Sequence, residues 1–135
     1  DLDPGAERTL GDYIKQTYGH DFVFIKDWPF TVRPFYHMLH EDNPSLTKSF
    51  DLLGRGLEIT TGAQREHRYE KLAQQALDKG LTLEPIQNYL NFFRYGCPPH
   101  GGLGLGLSRL LMVMLNLPTI RDAVYLFRGP NRLEP

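Results

Sequence analysis

With a single cysteine, Cys97, the 135-residue chain cannot close an internal disulfide. It has no run approaching the about 18 apolar residues of a membrane span, and no signal-peptide pattern. A reducing cytoplasm is the expected setting. Charge of one sign is missing as well: 15 Lys and Arg stand against 16 Asp and Glu, for a formal net charge of −1. No global basic field advertises nucleic acid, so any such contact has to be local. Repeats and low-complexity tracts are absent. So are the two common nucleotide fingerprints: no Gly-Lys-Ser/Thr follows the glycines, and Gly102-x-Gly104-x-Gly106 lacks the dinucleotide spacing. The chain opens at Asp1-Leu2-Asp3-Pro4 without a methionine and ends at Leu133-Glu134-Pro135, which suggests a piece of something longer.

What is present suffices for one domain, since 41% apolar content over this length can bury a core. Asp3 caps a helix with Pro4 at its first position, and Ala6, Leu10, Tyr13, Ile14 and Thr17 form a stripe ending before Gly19. A β-rich run covers 21–26, and a second extended segment with two prolines covers 31–38. Strands over 47–53 and 57–65 flank Gly54-Arg55-Gly56. Helices follow over 66–79, with Gly80 as its stop, and from Pro85 to Gly96. The segment 120–127 mixes helix and strand signals.

The densest stretch is Pro98-Pro99-His100-Gly101-Gly102-Leu103-Gly104-Leu105-Gly106-Leu107-Ser108-Arg109. Period two over 102–107 puts Gly102, Gly104 and Gly106 on one strand face and Leu103, Leu105 and Leu107 on the other, the expected core face. Strand glycines cost roughly 0.5–1 kcal/mol each relative to alanine. Their bare backbone invites the close approach of something flat, such as a base. Arg109 then falls in the first turn of an apolar helix over 110–115, where a cation opposes the macrodipole unless an anion or π-face is near.

The 47–65 hairpin holds the second signal. A two-residue type II′ turn with Gly54 first places Asp51 opposite Glu58, while a three-residue loop pairs Leu52 with Glu58. In the first register two carboxylates face each other, which is unfavourable unless a cation such as magnesium lies between them. Solvated acids neutralised by Arg55 or Lys48 are the bland alternative.

Three segments together, Arg33-Pro34-Phe35-Tyr36, Gly56 through His67 with its Gly62-Ala63-Gln64-Arg65 core, and the glycine stretch through Arg109, resemble the class II aspartyl-tRNA synthetases of the archaeal and eukaryotic type. The closing segment from Ile120-Arg121-Asp122 to Arg132-Leu133-Glu134-Pro135 is similar to that family's C-terminus, so the resemblance covers essentially the whole chain. It implies an α+β fold, the latter half of a catalytic domain built on an antiparallel sheet flanked by helices. The glycine strand and Arg109 correspond to the family's motif 3, with Arg109 against the adenine and near the γ-phosphate of ATP.

The resemblance further implies that Gly102, Gly104, Gly106 and Glu58 belong to the ATP site. Arg65, Arg33, Thr61 and Gly104 belong to the aspartate site, with Arg65 holding the side-chain carboxylate and Arg33 as the second cation on it. Glu58 and Thr61, with Asp51 nearby, correspond to magnesium ligands. A regular strand points Glu58 and Thr61 to opposite faces, so an irregularity is expected around 59–61. The implied partners are aspartate, ATP and tRNA, in a full-length homodimer. Ser108 departs from the usual glutamate, and Leu126-Phe127-Arg128-Gly129-Pro130 departs from the usual Phe-Pro-Arg-Asp order. The family's anticodon domain, motif 1 and motif 2 arginine do not occur in this sequence, and the isolated segment is expected to be nearly inactive.

Other readings stand beside this one. An asparaginyl-tRNA synthetase or a synthetase-like asparagine synthetase shares the glycine strand and the acids, although Arg65 with Arg33 favours a negatively charged side chain. A truncated paralogue acting as a binding or regulatory module is the non-enzymatic alternative. Arg65 has a bland fate in pairing with Glu66 or Glu70, and Arg109 one as a surface cation. His100 is left without a role, and Cys97 reads as a small apolar residue.

Overall fold

The computed structural model describes residues 2–134. Four strands, β1 (Phe22–Lys26), β2 (Ser49–Gly54), β3 (Leu57–Gln64) and β4 (Gly101–Leu105), form one sheet in the order β1-β2-β3-β4. Neighbours run antiparallel: Asp27 N–H donates to Ser49 O and Arg55 N–H to Asp21 O, as a constant antiparallel register requires. Four α-helices accompany the sheet: α1 (Pro4–Tyr18), α2 (Tyr69–Asp78), α3 (Gln87–Arg94) and α4 (Leu107–Met114). The chain resolves into two compact units, one of Ile25–Asp51 with Thr61–Gly104, the other of Leu2–Phe24, Leu52–Thr60 and the chain from Leu105 onward.

In the second of these, α1 begins as the sequence indicates: Asp3 Oδ1 accepts from Gly5 N at 2.7 Å and Ala6 N at 2.8 Å, and Gly19 closes the helix at φ +71°. Two glycines bring α1 onto the hairpin turn. A Cβ on Gly11 would lie 2.5 Å from Gly56 N, and one on Gly56 would lie 2.7 Å from Arg8 Cα. The turn residues Arg55 and Gly56 both have positive φ, 49° and 73°. The turn is therefore type I′, and Gly54 faces Leu57, which replaces both registers considered from sequence. Arg55 is held by Asp21 Oδ2 at 3.3 Å and Asn116 Oδ1 at 3.1 Å.

The helix after the glycines starts at Leu107 rather than Leu110. Gly106 N–H donates to Ile59 O and Gly106 O accepts from Leu110 N–H, so the ladder ends and the helix begins at one residue. β4 is an edge strand, and Leu103, Leu105 and Leu107 are 60%, 53% and 61% exposed. Leu103 and Leu105, the expected core face of β4, are thus exposed among the described residues, as are Gly102 and Gly104, and Leu107 belongs to α4.

The first unit is built on Leu72, Leu90 and Phe93, with Phe35, Tyr36, Tyr69 and Ile86 packed against them. The segment 31–38 is not extended: a 3₁₀ turn covers Phe30–Val32, and single bridges join Pro29 to Leu46, His37 to Arg65 and Leu39 to Thr47. Prolines at 29 and 34 remove the donors a continuous ladder needs. Gln75 of α2 donates to Phe35 O and His37 O, fixing this segment over the helix. α2 starts at Tyr69 rather than Glu66 because Glu66, 1% exposed, is engaged by Arg68 through its backbone N–H, Nε and Nη2.

Gly56→Ala is expected to cost about 2 kcal/mol or more, combining left-handed strain with the clash against Arg8. Gly19→Ala, at a similar φ but with nothing within 4 Å of its Cβ, is expected to cost about 1 kcal/mol. Urea denaturation of the two variants measures the difference.

Candidate functional site

Arg65 follows the last residue of β3, its N–H donating to His100 O at 2.9 Å. Its guanidinium lies 4.6 Å over the Tyr36 ring. On another side, a Cβ on Gly102 would stand 3.3 Å from Nε and Nη2, so the glycine makes room for the arginine. Among the described residues Arg65 forms no ion pair with Glu66 or Glu70, and its Nη1 is buried without a hydrogen-bond partner. A buried N–H left unmade costs about 1–3 kcal/mol. The group borders a cavity of about 590 Å³ lined by Phe35, Tyr36, Tyr89, Phe93, His100 and Gly102. A cation with an unused donor at an aromatic-walled opening suits an anionic ligand group.

Arg33 is arranged differently. It is buried, stacks 4.5 Å over Trp28 and forms an ion pair through Nη2 with Asp51 Oδ2. The other carboxylate oxygen, Oδ1, accepts from Thr61 Oγ1 at 2.8 Å. Lys48 and Gln64 are paired through Gln64 N–H to Lys48 O, and that register carried inward sets Asp51 opposite Thr61, not opposite Glu58. From Lys48 to the turn residue Gly54 is six steps, and from Leu57 to Gln64 is seven. β3 therefore carries one extra residue between Leu57 and Thr61, where Thr61 Oγ1 reaches Asp51, the irregularity expected there.

His37, 3% exposed, sits against Tyr36 at 5.2 Å between ring centroids. Burial pushes its pKa down to about 4, and the nearby Arg65 and Arg33 charges push the same way while Asp51 opposes them. The imidazole is neutral at physiological pH. Sequence reading missed His37, Tyr36 and Trp28 as the surroundings of the two arginines; the concentration of aromatic residues around Arg33 over 28–37 was the available signal.

The other unit holds Arg109 and Glu58. Arg109 Nη1 donates to Glu58 O at 2.8 Å and approaches Glu58 Oε1 at 3.4 Å. Both side chains are partly open to solvent, at 45% and 35%. Gly106 permits this approach, since a Cβ there would lie 3.4 Å from Arg109 Cδ and 3.1 Å from Ile59 O. A Cβ on Gly104 would meet nothing within 4 Å. Of the residues named for magnesium, Asp51 and Thr61 are in direct contact and Glu58 is paired with Arg109. Among the described residues no three His, Cys, Asp or Glu side chains gather as a metal-binding group. His100 Nδ1 is 3.0 Å from Pro98 O and 3.6 Å from Cys97 Sγ. No helix among the described residues is long and apolar enough to cross a membrane.

Comparison with known proteins adds to this geometry. Residues 1–128 match the family model for tRNA synthetases class II (D, K and N). The whole chain is 53% identical to an aspartate--tRNA(Asp/Asn) ligase of Aeropyrum pernix and 45% identical to an aspartate--tRNA(Asp) ligase of Pyrococcus furiosus, covering 30% and 31% of those proteins. It thus spans about a third of the length of the curated relatives it matches. Among solved structures, aspartyl tRNA synthetase from Entamoeba histolytica matches the entire chain with a TM-score of 0.95 at 40% identity, over 28% of that chain. Asparaginyl-tRNA synthetase from Pyrococcus horikoshii matches it at 0.88 and 34%, over 31% of that chain.

His37 generates a pH prediction. Its folded pKa lies below the unfolded value of 6.5, so between pH 6.5 and about 4 the unfolded chain binds more protons and stability falls as pH falls. His37→Gln is expected to flatten that slope of the urea midpoint against pH, and an NMR titration of the wild-type imidazole is expected to place its midpoint near 4.

Proposed function

Because this chain belongs to the class II tRNA synthetases of the aspartate, lysine and asparagine group, we propose that it is the catalytic segment of an aspartate–tRNA ligase, carrying the aspartate pocket and part of the ATP site. The observation that carries the aspartate assignment is Arg65: a guanidinium with a buried, unpartnered Nη1, fixed on Tyr36 and facing an open cavity. An amide side chain supplies no charge to offset such a cation, whereas a carboxylate does, and a planar fork accepts it in two parallel hydrogen bonds.

In this reaction the carboxylate of aspartate attacks the α-phosphorus of ATP, releasing pyrophosphate, and the aspartyl group passes from the adenylate to the tRNA terminus. Arg65 holds the side-chain carboxylate so that the other carboxylate is the one presented, a contribution of orientation. Arg109, a partly exposed cation whose counterion is Glu58, is assigned to the ATP phosphates and adenine. Magnesium bound with ATP would neutralise phosphate charge. The half-exposed Glu58 carboxylate suits that hard cation, and the Thr61 hydroxyl, its proton directed to Asp51, retains oxygen lone pairs for one. Recognition of tRNA and the homodimer belong to the full-length protein in this reading.

Aspartate-dependent ATP–pyrophosphate exchange by the full-length protein tests the proposal. Arg65→Ala is expected to lower kcat/KM for aspartate by about 100-fold or more, the loss of a charge-assisted bidentate pair. Exchange supported by asparagine and not by aspartate would transfer the chain to the amide-activating enzymes. No exchange with either amino acid would favour a non-catalytic binding module.

A further inference from the structure

Pro34-Phe35-Tyr36-His37 forms a β-turn, closed by His37 N–H donating to Pro34 O at 3.2 Å, with Phe35 and Tyr36 at its central positions. The carbonyls of the central residues have no partner within such a turn. Here they and the next carbonyl are taken from outside it: Tyr36 O accepts from Glu66 N–H at 3.0 Å, while Phe35 O and His37 O both accept from Gln75 Nε2, the latter at 2.9 Å. Gln75 is 4% exposed and shares the buried face of α2 with Leu72 and Ala76. An apolar side chain is the ordinary occupant of such a position, whereas a carboxamide brings two N–H donors to it. The central residues of the turn are also walls of the cavity beside Arg65. The Tyr36 ring supports the Arg65 guanidinium at 4.6 Å, and Phe35 meets Tyr36 and Tyr89 edge-on at 5.5 and 6.1 Å between centroids. A cation resting on a ring takes its orientation from where the ring is held.

Resting on the ligase reading above, we propose that Gln75 is a positioning residue for aspartate recognition: by holding the carbonyls on either side of Tyr36, it fixes the ring on which the Arg65 guanidinium rests. Gln75 does not border the cavity itself and acts through Phe35 and Tyr36, which do. Without its amide two carbonyls of the turn lose their donor, and the turn has reason to move toward another partner. A ring displaced with it carries the guanidinium away from the direction in which two parallel hydrogen bonds to a carboxylate can form.

The test is aspartate-dependent ATP–pyrophosphate exchange by the full-length protein, joined to calorimetric titration of aspartate without ATP. Gln75→Met keeps the length of the side chain and removes both donors. It is expected to raise KM for aspartate about tenfold and to weaken calorimetric binding by a similar factor, the loss of a hydrogen-bonded support. KM for ATP is expected to stay within about twofold and kcat within about threefold. Gln74→Met, on the exposed side of α2 where the amide bonds Asp78, is expected to leave all of these within about twofold. In a Tyr36→Leu background Gln75→Met is expected to change KM for aspartate by less than about twofold, because the ring through which it acts is gone. Should Gln75→Met not fold, Gln75→Asn keeps the amide but draws it back by a methylene, and is expected to raise KM for aspartate in the same selective way. Equal losses for aspartate and ATP, or a fall in kcat alone, would make Gln75 a general prop of α2 and overturn the proposal. So would a loss that persists at full size beside Tyr36→Leu. If wild type activates asparagine and not aspartate, the ligase reading fails and the role of Gln75 with it; if wild type activates aspartate and Gln75→Met binds it equally well, only the role of Gln75 fails.

Discussion

One extra residue in β3 governs how the hairpin delivers its side chains. At the turn Gly54 faces Leu57, and at the far end Lys48 faces Gln64, so the strand shifts by one position in between. Because side chains alternate with a period of two, a shift of one exchanges faces. With the register of the turn continued unchanged, Asp51 would stand opposite Thr60, one face away from Thr61. With the shift, the Thr61 hydroxyl meets the Asp51 carboxylate at 2.8 Å, and the buried pair with Arg33 gains its second anchor. The same shift fixes the phase of the strand by which the chain reaches Arg65.

Two cations placed near one another in a poorly hydrated site need a reason to stay charged and fixed. For Arg33 the reason is a carboxylate and an indole face; for Arg65 it is a phenol ring and a glycine that leaves room for the guanidinium. His37 would add a third cation if protonated, and its burial, reinforced by the charges of Arg65 and Arg33, suppresses that protonation. His37 therefore adds no charge in the physiological range.

Much of this was legible in the sequence where local chemistry decides the outcome. Asp3 and Pro4 announce α1, Gly19 ends it, and the glycine alternation marks β4. Some of the residues behind the family resemblance lie side by side within one unit, as Arg65 does beside Gly102 and Arg109 beside Glu58. The failures have a common cause in that they depend on what lies across from a residue rather than beside it along the chain. The hairpin register turned on Arg55 adopting a left-handed conformation that its links to Asp21 and Asn116 support, which no propensity for arginine signals. Leu103, Leu105 and Leu107 looked like a core face because alternation reports an apolar side without reporting whether anything covers it. Glu66 looked like the first residue of a helix, and its burial against Arg68 moved the start to Tyr69.

The two arginines assigned to ligands differ in a way that bears on how each would bind. Arg109 has Glu58 as a counterion, with nearly half its side chain in solvent, so an anion approaching it replaces or shares a weak, screened pair. Among the described residues Arg65 has no carboxylate partner and has an N–H buried without a partner, so an anion approaching it completes a hydrogen bond left unmade there. The first arrangement suits a polyphosphate that arrives with its own cations and leaves after each turnover. The second suits discrimination, because a ligand lacking the charge leaves the buried donor unsatisfied and the cation uncompensated, and the penalty falls on the wrong side chain instead of the right one.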